Sequence, residues 1–364
     1  MDANSALGLI NLAPLGRVLF LAALFALGPL GWLVFQKSRG RSGPWTAALT
    51  MVTVFLTFDL IVFGAFTRLT DSGLGCPDWP GCYGQASPME AMSDITAAHQ
   101  AMPTGAVSEG KAWIEMVHRY LAMVVGALIV LSWLLACVKD RRRWFWPTLT
   151  LLWVLVQGAF GAFTVTMKLF PAVVTLHLMG GIVLLALLVV QLAAQRSESV
   201  TVLPLFLRAG LWGGLLLLGL QVLLGGWVST NYAVLACDTF PQCQGAWWPH
   251  MDFHAGFELW RPLGMGGNGQ PLVFSALTAI HYTHRLMAYL VFLGLGALTC
   301  WLVRYEPKAA KTLAALLAMQ LLTGLSNVVL GWPLLAAVMH TGGAAALVAL
   351  LVWLLACSES RAAI

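Results

Sequence analysis

Residues 334–355 read LLAAVMHTGGAAALVALLVWLL, 22 consecutive positions with no Asp, Glu, Lys or Arg and a single histidine, His340. A helix crosses the hydrocarbon core of a bilayer with about 20 apolar residues, so this stretch is a membrane span that carries an ionisable group. The rest of the chain has the same character. Hydrophobic residues fill 59% of the 364 positions and charged residues 10%, with a mean hydropathy of +0.82. A soluble domain carries roughly a quarter of its residues charged, so the exterior here is built for lipid. Nine stretches meet the span criterion, near 15–35, 46–69, 113–137, 146–166, 172–194, 207–229, 278–303, 311–330 and 334–357. The first lacks the small-residue cleavage site of a signal peptide and contains Pro29 and Gly31, which reads as a retained helix. No Arg- and Ser-rich transit segment precedes it, which points to a bacterial source.

The net charge of +5 would hint at nucleic acid in a soluble protein, but its placement excludes that class. Lys37, Arg39 and Arg41 share one short loop, and Lys139, Arg141, Arg142 and Arg143 share another. Arg196 and Arg208 flank a third, and Arg304, Lys308 and Lys311 a fourth. With nine alternating helices all four loops fall on one side, which the positive-inside rule makes cytoplasmic. The long loops, roughly 70–112 and 230–277, then face outward and carry Asp71, Asp78, Glu90, Asp94, Asp238, Asp252 and Glu258.

The chain also repeats itself. Cys76-Pro-Asp-Trp-Pro-Gly-Cys82 returns as Cys237-Asp-Thr-Phe-Pro-Gln-Cys243, 161 residues later. Gly64-Ala65-Phe66 aligns with Gly225-Gly226-Trp227 at the same offset. His118-Arg119 matches His284-Arg285 at 166, and His177 matches His340 at 163, each of the latter followed by a Gly pair, Gly180-Gly181 and Gly342-Gly343. Five landmarks in one order at nearly one spacing define two related units. The organisation is an extra helix and loop over 1–45, a four-helix bundle over 46–194 and a second over 195–364. An even number of spans per unit makes the halves parallel rather than inverted.

Intramembrane ionisable residues mark functional sites. His118 and His284 lie five or six residues into their apolar stretches, and His177 and His340 six or seven after Pro171 and Pro333. At 1.5 Å per residue, all four would sit roughly 8–10 Å below the outer surface. In a four-helix unit the second and fourth helices run parallel, so each pair of histidines can face across its bundle. That arrangement suits the two axial positions of a porphyrin iron. A bare zinc or copper site needs more ligands than two histidines, and only Glu115 or His281 could add one. Glu115 lies one turn before His118, and His281 takes its place in the second half. A buried carboxyl group can hold or relay a proton, or Glu115 can simply pair with Lys111 or Arg119 near the membrane surface. Arg119 and Arg285 could neutralise heme propionates or extend to lipid headgroups. Asp59 is a further acid inside a span, with no role assigned. The outward loops allow Cys76–Cys82 and Cys237–Cys243 to close as disulfides, either structural or redox-active. Cys137, Cys300 and Cys357 read as packing residues.

At this point the motifs resemble the heme A synthase family. The similarity rests on Gly64-Ala-Phe-Thr-Arg-Leu-Thr-Asp-Ser-Gly-Leu74, the cysteine loop after it, Glu115-Met-Val-His-Arg119, Gln157-Gly-Ala-Phe-Gly-Ala-Phe-Thr-Val165 and His177-Leu178. It implies an all-α polytopic membrane protein of two pseudosymmetric four-helix transmembrane bundles, here with one extra N-terminal transmembrane helix. It implies oxidation of the C8 methyl of heme O to a formyl group, giving heme A. His118 and His177 would then flank the substrate heme, His284 and His340 would hold a heme b cofactor, and Glu115 would be the functional carboxylate. The resemblance places the protein in a bacterial inner membrane with its long loops periplasmic. It brings in heme O synthase and a terminal cytochrome oxidase as partners beside heme O and lipid. The front helix and the segment Thr230–Cys237 depart from the family pattern. No flavin or dinucleotide motif occurs, so electrons must come from an external donor. A non-catalytic diheme cytochrome serving quinone, or a heme carrier, shares the composition and the histidine spacing.

Overall fold

The computed structural model describes residues 9–40, 44–139, 144–195 and 201–361. Arg41, Arg141, Arg142, Arg143 and Arg196, which entered the charge argument, lie outside the described residues. Within them the protein is an all-α polytopic membrane protein, with nine helices long and apolar enough to cross a bilayer. These are α1 (Leu15–Ser38), α2 (Trp45–Leu69), α4 (Glu109–Lys139), α5 (Phe145–Thr166), α6 (Pro171–Gln195), α7 (Leu205–Thr230), α9 (Phe274–Leu302), α10 (Pro307–Val329) and α11 (Leu334–Ala356). They coincide with the nine apolar stretches. Two further helices, α3 (Met92–Ala101) and α8 (Phe253–Gly256), fall in the long loops, where hydropathy gives no signal.

Helices α4 and α9 each start four residues before the apolar stretch that marks them. An apolar run reports the part of a helix that sits in lipid, whereas the hydrogen-bonded coil continues into the polar layer. Glu109 in the first turn of α4 suits the positive end of the helix dipole. Counted from the helix starts, His118 and His284 are therefore about 14–15 Å along their helices and His177 and His340 about 9 Å.

The contacts divide the chain into two units, residues 1–169 with 183–196, and residues 170–182 with 197–364. In the first, α1 packs on α4 through Ala26 and Leu33, which join Val124, Leu128 and Leu49 of α2 in one cluster. Pro29 stays inside α1 without ending it. Val125 and Ile129 meet Leu184 and Leu188 in a second cluster. Deeper in the same unit, Gln191 Nε2 donates to Thr50 Oγ1 (3.1 Å) and Ser132 Oγ (3.0 Å), and its Oε1 accepts from Thr150 Oγ1 (3.1 Å). One amide thus ties four helices together.

In the second unit, small residues on α7 let neighbouring helices close in. A Cβ at Gly214 would stand 2.6 Å from Leu295 and 3.8 Å from Leu351, and one at Gly210 would stand 3.2 Å from Leu298. Close backbone approach is the usual way helices pack in lipid, where no hydrophobic drive exists between them. Two short parallel pairings complete the described structure. Strand β1 (Ile10–Asn11) pairs with β2 (Trp79–Pro80), and β3 (Thr201–Pro204) pairs with β4 (Ser358–Arg361). The first joins the chain ahead of α1 to the first long loop, so α1 starts on the same side as that loop, as an even number of spans between them requires.

Replacing Gln191 with Leu should strand the hydroxyls of Thr50 and Ser132 in a dry interior. Buried polar contacts between membrane helices are worth about 0.6–1.7 kcal/mol each, so the variant should lose roughly 1 kcal/mol of stability. Unfolding in mixed micelles of increasing denaturing-detergent fraction measures this, and an unchanged midpoint would show that the network ties nothing.

Candidate functional site

All four repeat histidines lie inside spans: His118 on α4, His177 on α6, His284 on α9 and His340 on α11. In the second unit each ring is set by the preceding helix. Gln221 Nε2 of α7 donates to the main-chain carbonyl of His284 (3.2 Å), and Gly225, one turn on, faces the ring. A Cβ at Gly225 would stand 3.0 Å from His284 Cε1. Helix α10 treats His340 in the same way. Gln320 Nε2 donates to the His340 carbonyl (2.9 Å), and a Cβ at Gly324 would stand 3.1 Å from its Cε1. Gly343, from the second Gly pair, lies against Gln320 itself. In the first unit Gly64 holds the corresponding place, with its Cβ position 2.9 Å from His118 Nε2, while Phe63 stacks on the ring at 6.4 Å.

The socket is therefore a glutamine followed four residues later by a glycine. Its sequence signal is Gln221…Gly225 and Gln320…Gly324, a spacing that also occurs in the chain at Gln157…Gly161. The repeat comparison missed it because Leu60 stands where a fourth glutamine would be, four residues before Gly64.

Several ring nitrogens are left without a protein partner. Nδ1 of His177 and Nδ1 of His284 are buried and accept or donate no hydrogen bond. His340 Nδ1 lies 3.0 Å from Thr323 Oγ1, which leaves its Nε2 for another ligand. An unsatisfied buried ring nitrogen costs about 1–3 kcal/mol, and a borderline metal such as iron is one complement to it. Imidazole nitrogens in this state could ligate a heme iron. Among the described residues no three His, Cys, Asp or Glu side chains gather at one point. Glu115 and His281, the two groups that could have completed a bare metal site, are turned elsewhere.

They are turned to the cysteine loops. Both disulfides are closed, Cys76–Cys82 with Cα atoms 4.9 Å apart and Cys237–Cys243 with 4.7 Å. The two loops share one fold at an offset of 161 residues. Trp79-Pro80 and Phe240-Pro241 are cis, Tyr83 and Gln244 are left-handed (φ 50° and 55°), and Gly84 and Gly245 follow at 72° and 73°. In each loop the second cysteine forms an antiparallel bridge three residues on, Cys82 with Gln85 and Cys243 with Ala246.

An arginine reaches each loop from below. Arg119 Nη1 donates to the carbonyls of Asp78 (2.8 Å), Pro80 (3.3 Å) and Gly81. Arg285 Nη1 donates to Thr239 and Gln242 (2.8 Å each) and its Nη2 to Cys237 (3.4 Å). Asp78 and Gly81 are the repeat partners of Thr239 and Gln242, so this contact is one device used twice. Both guanidiniums were candidates for heme propionates or lipid headgroups; the structure buries them against the loops instead, and a propionate would have to compete with these bonds.

One turn before each arginine the halves part. Glu115 is buried, its Oε1 accepts from Arg119 Nη2 and its Oε2 from the Cys76 amide (2.8 Å). Of the two pairings open to it, Arg119 is the one formed, and the pair lies buried beneath the loop. His281 instead places Nδ1 3.0 Å from the Ala233 carbonyl. The loops add polar anchors of their own. Asp78 accepts from the amides of Tyr83 (2.6 Å) and Gly84 (2.7 Å), and burial, with Asp94 and Asp78 nearby, holds the Tyr83 hydroxyl above its usual pKa range. Fully buried Arg261 donates to Asn231 Oδ1 (2.6 Å) and the Met265 carbonyl (3.1 Å) over the Trp227 ring. Nothing in its sequence neighbourhood marked Arg261. Asp59 is half-buried within α2, and Cys137, Cys300 and Cys357 are not disulfide-bonded.

A twice-repeated set of span-borne histidines beneath twin disulfide loops defines a polytopic membrane protein of internally duplicated type. The COX15-CtaA model, described as cytochrome oxidase assembly protein, matches residues 47–352. A protein of Shewanella oneidensis named heme A synthase is 36% identical over 310 residues, covering 84% of this chain and 94% of that one. Proteins of the same name from Caulobacter sp. (29% identical, 85% and 94% covered) and Exiguobacterium sibiricum (29%, 65% and 74%) are similar as well. The chain belongs to the COX15-CtaA family of cytochrome oxidase assembly proteins.

The two arginines allow a direct comparison. Arg119→Ala leaves Glu115 buried without its counter-charge, a loss of about 3–5 kcal/mol. Arg285→Ala strands only carbonyls and should cost about 1–3 kcal/mol. Thermal unfolding of the purified variants should place Arg119→Ala well below Arg285→Ala, with Glu115→Gln restoring part of the loss. Equal losses would show that the carboxylate pair is unimportant to the loop.

Proposed function

We propose that this protein is a heme A synthase that oxidises the C8 methyl of heme O to a formyl group, with His284 and His340 holding a heme b cofactor. The observation that carries the reading is the pair of sockets in the second unit. Gln221 with Gly225, and Gln320 with Gly324, orient two rings. Gln221 Nε2 also stands 3.4 Å from His284 Nε2, a contact that iron at that nitrogen would displace, and His284 Nδ1 has no protein partner. The name shared by the similar proteins supports the reaction. His118 and His177, their repeat counterparts, would serve the substrate heme of the first half, 46–194, and the second half, 195–364, would hold the cofactor.

A methyl C–H bond is inert to protein acids and bases, so a heme held here would supply the redox chemistry. Two successive hydroxylations, each consuming one dioxygen and two electrons from an external donor and releasing one water, would carry the methyl to a hydrated aldehyde that loses water to the formyl group. The chain's own part is to orient, to exclude water and to handle protons. Glu115 is the group for protons: it stands one turn from His118, and its repeat partner His281 cannot replace a carboxylate. Arg119 and the Cys76 amide hold its two oxygens, so proton uptake at Oε1 or Oε2 would loosen one of those contacts. Arg119 and Arg285 are positioning residues that keep the loops seated over the spans. The charge pattern and the outward start of α1 support an inner-membrane location in a bacterium with periplasmic loops. Heme O synthase and a terminal oxidase would be neighbours in the pathway.

Two experiments test the assignment. His284→Ala and His340→Ala should each lose the b-type absorbance of the purified protein, and wild-type spectra in both would remove the cofactor ligands. Glu115→Gln should retain b heme while heme A formed from supplied heme O falls by about tenfold or more, the scale of a lost acid–base contribution. Purified wild type containing heme b alone, with no conversion of heme O, would instead favour a diheme cytochrome.

A further inference from the structure

The twin cysteine loops are built alike but covered differently. In the first, Asp78, Pro80, Gly81 and Ala86 are buried; their repeat partners Thr239, Pro241 and Trp247 are exposed and Gln242 is half-buried. Part of the cover on the first loop is the chain's own N-terminus. Leu9 accepts a hydrogen bond from the Trp79 amide (3.0 Å), and Ile10 and Asn11 pair with Trp79 and Pro80. The Asn11 side chain lies against Gly84, 2.8 Å from its Cβ position, and Pro14 lies 2.7 Å from that of Gly81. At Gly245, the repeat partner of Gly84, a Cβ would meet nothing within 4 Å. The strand continues into α1, whose Arg17 pairs with Glu90 (3.2 Å) and whose Phe25 ring stands 5.8 Å from Tyr120. Tyr120 in turn donates to the Ala86 carbonyl (2.6 Å) at the end of the same loop. All of these N-terminal residues precede 47, where the family match begins.

We propose that residues 9–38 are a retaining strap for the first cysteine loop, in which α1 is the anchor and β1 the part that closes the loop. The strap adds backbone pairing to the one edge that the second loop leaves bare, so the two loops open unequally. The first stays seated over Glu115 and Arg119, and the second is the compliant one. This rests on loop geometry alone and is independent of the reaction assigned above.

The loops serve as each other's control in one molecule. In membranes carrying the full-length protein, a membrane-impermeant phosphine reductant is added from the outer side, and newly freed thiols are alkylated and quantified by peptide. Cys76–Cys82 should be reduced at least about fivefold more slowly than Cys237–Cys243, the ratio given by roughly one net backbone hydrogen bond. Asn11→Pro removes a strand N–H and the side chain against Gly84. It should raise the first rate toward the second and leave the second unchanged. Asn11→Ala, which keeps the strand, should fall between. Equal rates in the wild type would overturn the proposal, as would a rate ratio that neither Asn11 variant alters.

Discussion

Hydrocarbon supplies no hydrogen-bond partner, so a polar group that enters the membrane must find one within the protein. Helices satisfy that demand for the backbone, and the side chains meet it in named places. Gln191 serves three hydroxyls at once. Gln221 and Gln320 each spend their amide on the carbonyl of a histidine one helix away. Nδ1 of His177 and Nδ1 of His284 are among the buried side-chain atoms left without a partner in the described residues, beside Oε1 of Gln157, Gln195 and Gln221, Nε of Arg261 and Oδ1 of Asn327. Of these groups the imidazole nitrogens are the ones that would ligate a heme iron.

The same demand shapes the span ends that meet the cysteine loops. Arg119 and Arg285 enter the upper membrane with a charge that must be neutralised or hydrogen-bonded, and each turns up to a row of loop carbonyls. A small disulfide ring presents several carbonyls in a fixed arc, which a forked guanidinium can bridge. Loop and arginine thereby hold each other. Duplication preserved this contact in both halves while the neighbouring position diverged to Glu115 in one and His281 in the other. A shared clamp with one altered member is what a pair of sites with related shapes and different chemistry requires. The clamp recurs in both halves, whereas the buried carboxylate stands in one alone.

The N-terminal helix extends this logic outside the duplicated body. It buries Ala26 and Leu33 against α4 and carries a strand to the loop above. Among the contacts described above, α1 makes none with a histidine socket. Its loop contacts fall on the first of the two long loops, whose cysteine ring is largely buried, whereas the second keeps Trp247 and Trp248 exposed.

Much of this was legible in the chain itself. The nine spans, the duplication, the four histidines and the two cysteine pairs were readable because hydropathy, spacing and residue type are local or periodic properties. Glu115 was singled out for lying a turn from His118, and its pairing with Arg119 was among the readings open to it. Only the tertiary structure decided where those groups point. Arg119 and Arg285 sit at depths compatible with a propionate, a headgroup or a carbonyl, and the choice depended on the loop that folds back above them. The Gln–Gly sockets join residues tens of positions apart, and their meaning appears only when two helices are side by side. The pairing of Ile10–Asn11 with Trp79–Pro80 is fixed by a loop closure of about seventy residues, for which two apolar or polar positions near an N-terminus carry no signal. Sequence determines which residues can enter a membrane and at what spacing; which partner each polar group then finds is settled by packing, because in lipid the partner must come from the fold.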